Sequence, residues 1–178
     1  MMGHPKALLQ FRGRTFLEHV LAAIGDAGIN STTVVVGHHR TEIVSALELP
    51  SVVFNPDYQQ GMSTSVQAGL RSMPAGVEGA GIFLVDHPLI DPATITALAA
   101  QLKPGRIVLP TYGGRRGHPV FFSADLFSEI LDLRPDQGLN VVVRRDAHRI
   151  IEVPASHDGV LRDVDTPEDF EKLLHESR

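Results

Sequence analysis

Apolar residues along the chain follow two patterns: short continuous runs and longer stretches with helical spacing. The β-branched run Val34–Val36 and the run over residues 81–85 are typical of strands buried on both faces. Between such runs, apolar residues recur three or four positions apart, as in Leu17, Val20 and Ile24, and this spacing predicts helices. Strands that alternate with helices imply crossover connections and a largely parallel, doubly wound α/β sheet.

Helix starts are marked by residues that cap free backbone N–H groups. Thr15 and Glu18 have the spacing of a capping box ahead of an apolar helical face. Asp91 with Pro92 combines a capping side chain with the first-turn proline that favours a helix start. The hydroxyl of Ser63 is predicted to cap another helix. These local signals divide the chain into alternating strands and helices.

Composition limits the possible classes of protein. The 178 residues are 43% hydrophobic and 21% charged, which fits a single domain over residues 1–178 with a substantial core. A formal net charge of -5 argues against a nucleic-acid surface, which is usually basic. No cysteine is present, so disulfides and thiolate metal ligands are excluded. The apolar runs are too short to cross a bilayer and no leader is visible, so we expect a cytoplasmic protein with neither nucleic acid nor membrane as a partner.

Three aspartates are candidate metal ligands. Asp86 ends the most apolar strand, and in doubly wound folds the carboxyl ends of strands face the ligand crevice. Asp163 and Asp165 are separated by one residue, so in an extended segment only one of them can readily reach a given ion. Asp86 with one of these two would supply the hard oxygen ligands that Mg²⁺ prefers. The structural alternative makes Asp86 a turn cap and Asp165 the residue that introduces a helix.

Two segments and one loop are candidate anion sites. Lys6 lies close to Gly3, and a lysine beside flexible backbone suits a phosphate oxygen; an exposed lysine near the terminus is the alternative. Ser63 and Ser65 follow a glycine at a helix start, where free N–H groups and hydroxyls can bind an anion, although an ordinary cap would explain Ser63. The loop over residues 113–118, with three glycines, two arginines and a histidine, would bind phosphate or be a solvated surface.

Several common functional motifs are absent. The nine histidines do not show the spacing of zinc ligands. The chain has no Gly-x-Ser-x-Gly nucleophile elbow, so an α/β-hydrolase interpretation lacks its nucleophile. Neither the phosphate-binding P-loop pattern nor the dinucleotide-binding glycine pattern occurs.

The order of the remaining motifs resembles the molybdenum cofactor nucleotidyltransferase family. The segments that carry the resemblance follow one another over nearly the whole chain: Gly3-x-Pro5-Lys6, Gly13-x-Thr15-Phe16-Leu17-Glu18, Val36-Gly37, Asn55 followed by Gly61-Met62-Ser63-x-Ser65, Asp86-x-Pro88, Gly117-His118-Pro119-Val120, Asp136-x-Gly138 and Asp163-Val164-Asp165-Thr166-Pro167-Glu168-Asp169. Within the family, the chain looks most like the cytidylyltransferase branch.

The resemblance implies a Rossmann-like nucleotidyltransferase fold, a three-layer α/β/α arrangement with a mostly parallel sheet. It implies transfer of CMP from CTP to molybdopterin: a phosphate oxygen of molybdopterin attacks the α-phosphorus and pyrophosphate leaves. Asp86 and Asp165 would hold Mg²⁺, and Lys6 and Asp86 would be the catalytic residues. A molybdoenzyme is the implied recipient of the product. The implied nucleotide- or substrate-binding residues are Gly3, Lys6, Asn55, Ser63, Ser65 and His118.

Two features depart from the family pattern. The family carries a strand and a glycine-rich loop before the position of Pro5, and only Met2 and Gly3 of that loop are present. We therefore expect an N-terminally truncated domain in which the first strand is missing. His87 stands where the family usually has glutamine.

Other functions stay open at the level of sequence. GTP could replace CTP in a guanylyltransferase, or another small molecule could accept the nucleotide on the same fold. A non-catalytic carrier of finished molybdenum cofactor would fit an absent phosphate loop. A metal-dependent glycosyltransferase also places a carboxylate at a strand end, but it leaves the Gly-His-Pro segment unexplained. Manganese would suit the same oxygen ligands as magnesium.

Overall fold

The computed structural model describes residues 5–175. Its strands are β1 (Gln10–Phe11), β2 (Arg14–Thr15), β3 (Val34–Val36), β4 (Val52–Phe54), β5 (Gly79–Ile82), β6 (Ile107–Tyr112), β7 (Arg115–Arg116), β8 (Val120–Ser123) and β9 (Ile150–Pro154). Its helices are α1 (Phe16–Asp26), α2 (Arg40–Ala46), α3 (Met62–Arg71), α4 (Pro92–Ala100), α5 (Phe127–Leu131), α6 (Asn140–Arg145) and α7 (Pro167–His175), with short 3₁₀ turns between them. None of the helices in residues 5–175 has the length and apolar character needed to cross a membrane.

The largest sheet has five strands centred on β6. Strand β6 pairs with β7, β8 and β9, and β8 also pairs with β5. The parallel register of β6 with β9 places Ile107 beside Ile150, while the antiparallel register with β8 places Ile107 beside Phe122. Strands β3 and β4 form a separate parallel pair, and β1 and β2 form a small antiparallel hairpin.

The predicted α/β fold class is confirmed, but the sheet is mixed rather than mostly parallel. Strand β8 runs antiparallel between β5 and β6. The physical reason is the short connection from β6 through β7 to β8, since a parallel pairing would need a crossover of about a dozen residues or more. The sequence pattern in this region predicted only the loop over residues 113–118, and the apolar strand Val120–Ser123 was missed.

Side-chain alternation along β6 builds the three layers. Ile107 and Leu109 point into one core cluster, which also contains the buried apolar residues of α3, α5 and α6. Val108 points to the opposite face, where it packs with buried residues of α1 and α4. The helices therefore cover both faces of the sheet, as the predicted three-layer arrangement requires.

A third apolar cluster joins the two ends of the described chain. Phe11 and Phe16, at the hairpin and the start of α1, pack with Val164 and with Leu173 of α7. Phe16 is fully buried and also contacts the ring of Phe170, with 5.8 Å between ring centroids. This packing brings the segment around residue 6 next to the segment around residue 165.

Two of the three predicted helix caps are confirmed. Thr15 and Glu18 form a reciprocal capping box at α1, and the Asp91 carboxylate accepts a hydrogen bond from the Thr94 N–H at α4. The predicted cap at Ser63 is wrong, because the cap position of α3 is Gly61, two residues earlier, and the helix begins at Met62. Gly61 has a φ of 137°, a conformation in which side chains are strained, and a Cβ there would lie 2.3 Å from the Pro135 carbonyl oxygen.

Candidate active site

Lys6 lies in a 3₁₀ turn over Lys6–Leu8 and faces two carboxylates from distant parts of the chain. Its ammonium group donates a hydrogen bond to Oδ1 of Asp165. The same nitrogen is 3.8 Å from Oδ2 of Asp86. Three of the residues that the sequence analysis selected therefore lie together: the two aspartates and the cation between them.

Asp86 follows β5, and its backbone is hydrogen-bonded to the late segment of the chain. Its carbonyl oxygen accepts a 2.9 Å hydrogen bond from the Val164 N–H, which ties the two aspartate-bearing segments together. Oδ1 of Asp86 is buried and has no hydrogen-bond partner within residues 5–175. Nε2 of His87 is 4.0 Å from this oxygen. Burying a carboxylate oxygen without a hydrogen-bond donor costs free energy. This atom therefore fits a role as a metal ligand or as the acceptor of a hydrogen bond from substrate.

Asp165 is more exposed than Asp86 and belongs to the segment that precedes α7. The hydrogen bond from Lys6 and its positive charge hold the pKa of Asp165 below its ordinary value. Its carboxylate is therefore ionised at neutral pH. Within the described part of the chain, no group of three or more histidine, aspartate or glutamate side chains is placed to hold a metal ion. Two carboxylates still fit Mg²⁺ or Mn²⁺, because such ions are commonly held by one or two carboxylates together with substrate phosphates.

A cavity of about 270 Å³ adjoins Asp86. Its lining includes Asp163 from the late segment and Arg115 from the hairpin between β6 and β7. His87 and His118 lie in its wall with 5.2 Å between ring centroids, and Nδ1 of each ring is buried without a partner in the described residues. This cavity has the polar lining expected of a site for a second substrate beside the carboxylates.

Burial determines the protonation state of His118. Desolvation lowers the pKa of His118 below its ordinary value of 6.5, the neighbouring His87 lowers it further, and Asp86 and Asp163 act in the opposite direction. The imidazole is therefore neutral at pH 7. A neutral ring can donate one hydrogen bond and accept another, which suits recognition of a polar substrate.

The Gly-His-Pro segment has a specific local geometry. The His118 N–H donates a 2.8 Å hydrogen bond to the Val160 carbonyl, and the Gly117 N–H donates a 2.9 Å bond to the Pro110 carbonyl. A Cβ on Gly117 would lie 2.2 Å from the Val160 carbonyl oxygen. Glycine is therefore required where the hairpin crosses the segment that leads to Asp163, and this close approach orients His118 toward the cavity.

Asn55, Ser63 and Ser65 lie at a different place, where β4 leads into α3. The Asn55 side-chain amide donates to the hydroxyls of Thr64 and Ser65 at 2.8 and 3.0 Å, and its oxygen accepts from the Asp57 N–H at 3.0 Å. Asn55 is only 3% exposed. In residues 5–175 these bonds connect Asn55 to the α3 start rather than to the Lys6 group.

Ser63 is also directed inward. Only 1% of Ser63 is exposed, and its hydroxyl donates to the carbonyls of Arg134 and Pro135 at 3.5 and 3.3 Å. Ser65 is half-buried and accepts the Asn55 bond. Gly3, the remaining residue that the sequence analysis selected, lies outside the described residues.

A second cavity of about 400 Å³ runs beside α3 and was not anticipated from the sequence. Asn55 and Arg71 are among its lining residues. Gln67, also in its wall, is 8% exposed and donates to the carbonyls of Ile130 and Leu133 at 3.0 and 2.9 Å. The sequence offered no signal that Gln67 is buried and bonds these carbonyls, because a glutamine on a helix usually indicates a solvent-facing position.

The sequence is similar to one family model and to individual proteins of known name. Residues 1–150 match the family described as MobA-like NTP transferase domain. Nicotine blue oxidoreductase of Paenarthrobacter nicotinovorans is 29% identical over 180 residues, which covers 96% of this chain and 88% of that protein. The bifunctional protein GlmU of Xanthobacter autotrophicus is 36% identical over 107 residues. That match covers 58% of this chain and 24% of GlmU, so the chain matches about a quarter of that relative's length.

Solved structures with the same fold extend over nearly the whole chain. The Mycobacterium tuberculosis protein Rv0371c, crystallised in complex with manganese, superimposes with a TM-score of 0.86 at 28% identity, covering 97% of this chain and 93% of that one. A nucleotidyl transferase from Methanothermobacter thermautotrophicus gives 0.82 at 26% identity, with 96% and 84% coverage. Molybdopterin-guanine dinucleotide biosynthesis protein A from Archaeoglobus fulgidus gives 0.70 at 16% identity, with 99% and 92% coverage, which shows a shared fold.

Proposed function

This chain belongs to the family of MobA-like NTP transferase domains, and on that premise we propose that it transfers CMP from CTP to molybdopterin and releases pyrophosphate. The observation that carries the proposal is the meeting of Lys6, Asp86 and Asp165, which are separated along the chain but share one ion-pair cluster. A cation beside two carboxylates is the charge arrangement that a metal-bound triphosphate needs. The choice of CTP and molybdopterin rests on the resemblance of the motif order to the cytidylyltransferase branch.

The carboxylates of Asp86 and Asp165 are the proposed metal ligands. Held there, Mg²⁺ or Mn²⁺ would supply positive charge to the triphosphate oxygens. Oδ1 of Asp86, which has no hydrogen-bond partner within residues 5–175, and the exposed Asp165 carboxylate both offer hard oxygen donors for this purpose. The manganese complex of the Mycobacterium tuberculosis relative supports a divalent ion in this fold.

Lys6 has a separate role in the proposal. When a metal occupies the carboxylates, the ammonium group is free to bind a phosphate oxygen instead of Asp165. There it would stabilise the negative charge that develops as the bond between the α-phosphorus and the bridging oxygen breaks. The acceptor phosphate oxygen forms the new bond to the α-phosphorus, and pyrophosphate carries away the electron pair of the broken bond. No side chain must act as a general base, because a phosphate oxygen is already an anion at neutral pH.

The cavity beside Asp86 is the proposed place of the acceptor. Arg115 at its rim can pair with an anionic group, and the neutral His118 can hydrogen-bond a polar heterocycle. Asn55, Ser63 and Ser65 support the site from a second element by fixing the start of α3. We propose that Ser65, the least buried of these three, is the one that reaches substrate, while Asn55 and Ser63 hold the backbone.

The proposal is tested by calorimetric titration of the chain with Mg-CTP and with Mg-GTP, followed by measurement of pyrophosphate release in the presence of molybdopterin. We expect CTP binding and CTP-dependent pyrophosphate release, and a strong reduction of both in Asp165→Asn. Asp132→Asn is the matched control, because Asp132 is exposed and lies at the C-terminal end of α5 rather than beside Lys6. Preferential use of GTP would replace the cytidylyltransferase assignment with a guanylyltransferase. Tight binding of molybdenum cofactor without affinity for either nucleotide would overturn the transferase proposal in favour of a carrier.

A further inference from the structure

His157 lies outside every motif that the sequence analysis selected, yet it joins two segments that carry the candidate metal ligands. Its Nδ1 accepts a 3.0 Å hydrogen bond from the Gly159 N–H. Because Nδ1 accepts, the proton of the neutral ring is on Nε2, and this nitrogen donates to Oδ2 of Asp91 at 2.8 Å. One imidazole therefore fixes its own turn and attaches that turn to the start of α4.

Asp91 is itself held firmly in place. Its Oδ1 accepts the Thr94 N–H at 2.9 Å and its Oδ2 accepts the Thr94 hydroxyl at 2.6 Å. Both bonds belong to the N-terminal cap of α4, whose residues Ile95 and Leu98 are fully buried. The partner of His157 is consequently anchored to the core through α4.

The turn that His157 fixes lies directly against neighbouring backbone. A Cβ on Gly159 would be 2.6 Å from the Leu89 carbonyl oxygen, so only glycine fits there. The next residue, Val160, is fully buried, and its carbonyl accepts the His118 N–H at 2.8 Å. Further along, the Val164 N–H donates to the Asp86 carbonyl at 2.9 Å. The segment over residues 157–165 is thus bonded to the segment over residues 86–91 at both of its ends.

This double attachment decides where Asp163 and Asp165 stand relative to Asp86. The Val164 bond fixes one end close to the carboxylates, and the bond between His157 and Asp91 fixes the other. Removing the second attachment leaves the Val164 bond, the Val160 contacts and the Lys6 bond to hold the segment, without its connection to α4. The aspartates would then sample a wider range of positions, and a metal ion would have to order them when it binds, at an entropic cost.

We infer that His157 is a positioning residue that aligns the Asp163–Asp165 segment with Asp86 and thereby sets the affinity of the site for a divalent metal. This inference rests on the proposed metal site, since it assigns a function to the alignment of that site's carboxylates. His157 does not contact the carboxylates of the proposed metal site. It acts through Asp91 and the backbone of residues 159–164.

The first test measures Mn²⁺ binding to the nucleotide-free chain by electron paramagnetic resonance. In His157→Ala we expect the Kd to rise about threefold or more, somewhat below the roughly 10- to 100-fold effect typical of groups bonded directly to a ligand. His157→Gln keeps a side-chain donor that can reach Asp91, and it should recover most of the affinity. His157→Asn keeps an acceptor near the Gly159 N–H but loses the reach to Asp91, and it should behave like alanine.

Two control variants separate alignment from general loss of stability. His148→Ala removes an exposed histidine elsewhere and should leave Mn²⁺ affinity unchanged. Ile130→Val trims a fully buried core residue on the opposite face of the sheet, so it should lower the unfolding midpoint without changing Mn²⁺ affinity. Equal weakening of Mn²⁺ binding in Ile130→Val and His157→Ala would overturn the inference, because the effect would then follow stability alone.

A second measurement follows the alignment without any metal. Hydrogen exchange of the Val164 amide reports the bond to the Asp86 carbonyl, and it should accelerate in His157→Ala but not in His148→Ala. Unchanged exchange together with unchanged Mn²⁺ affinity would overturn the inference and leave the proposed metal site intact. The metal site and the inference would both be overturned if the wild-type chain did not bind Mn²⁺, or if Asp165→Asn did not weaken that binding.

Discussion

The Lys6 ammonium donates a hydrogen bond to Asp165, a residue 159 positions later in the chain, and it lies 3.8 Å from Asp86. The cation therefore occupies the space between the two carboxylates that we propose as metal ligands. In the proposed site, lysine and a divalent ion would compete for the same negative charge, and a substrate phosphate would give the lysine another partner. In the proposed mechanism, metal binding and nucleotide binding would therefore support each other.

Replacement of Lys6 by methionine should change metal binding and turnover in opposite directions. Without the ammonium, the affinity of the nucleotide-free chain for Mn²⁺ should rise roughly fivefold, which corresponds to about 1 kcal/mol of screened repulsion. Nucleotidyl transfer should fall by about 100-fold or more, because the developing charge on pyrophosphate loses its partner. Mn²⁺ titration and a pyrophosphate-release assay measure the two effects. Lys172→Met, which removes a lysine 3.9 Å from Asp169 on α7, is the control and should change neither.

Asp163 and Asp165 should differ in importance although they are near neighbours. Asp165 contacts Lys6, whereas Asp163 faces the cavity beside Asp86. We expect Asp165→Asn to lower turnover by about 100-fold and Asp163→Asn to lower it by about tenfold or less, since only the former removes a proposed ligand. Steady-state kinetics at several Mg²⁺ concentrations measure this difference. A larger loss in Asp163→Asn, with a raised metal requirement, would transfer the ligand role to Asp163.

Gly117→Ala should destabilise the protein through a backbone collision. The added methyl group would stand 2.2 Å from the Val160 carbonyl oxygen, so the hairpin would have to move away from residues 157–165. We expect a loss of about 1–3 kcal/mol in the free energy of unfolding, measured by urea denaturation. Gly25→Ala in α1 is the matched control, because a Cβ there meets no atom of residues 5–175 within 4 Å and alanine favours a helix. Equal destabilisation by both changes would contradict the assigned contact.

Asp91 should make the stability of the protein depend on acid pH. Burial opposes its ionisation, but the Thr94 hydrogen bonds and His157 outweigh burial, so the pKa of Asp91 lies below its ordinary value. The unfolded chain therefore binds the proton more readily, and the contribution of Asp91 to stability is present above the ordinary pKa and lost as the pH falls through the lower folded value. Asp91→Ala should cost about 1 kcal/mol at pH 7. Urea denaturation at pH 7, 5 and 3 should show the difference from wild type shrinking at the lowest pH.

The candidate site was partly predictable because some of its residues carry their own local signal. Asp86 ends an apolar run and Asp165 precedes a helix start, so each could be selected without knowledge of the other. Ser63 shows the limit of this approach. Its hydroxyl fits a capping pattern. In the folded chain, however, it donates to the carbonyls of Arg134 and Pro135, which are 71 and 72 positions away. A local pattern cannot reveal a distant partner that satisfies the same group better.

Local order was determined by the sequence itself. The capping box of Thr15 with Glu18 and the cap of Asp91 on Thr94 connect residues three positions apart, and the α/β class follows from the periodicity of apolar residues. Only the tertiary structure decided that β8 runs antiparallel within the main sheet, that Lys6 meets Asp165, and that His157 binds Asp91 across 66 positions. Short-range contacts form with little loss of chain entropy, so few residues specify them. Long-range contacts form because the apolar clusters bring their segments together, and a single polar residue cannot signal that packing.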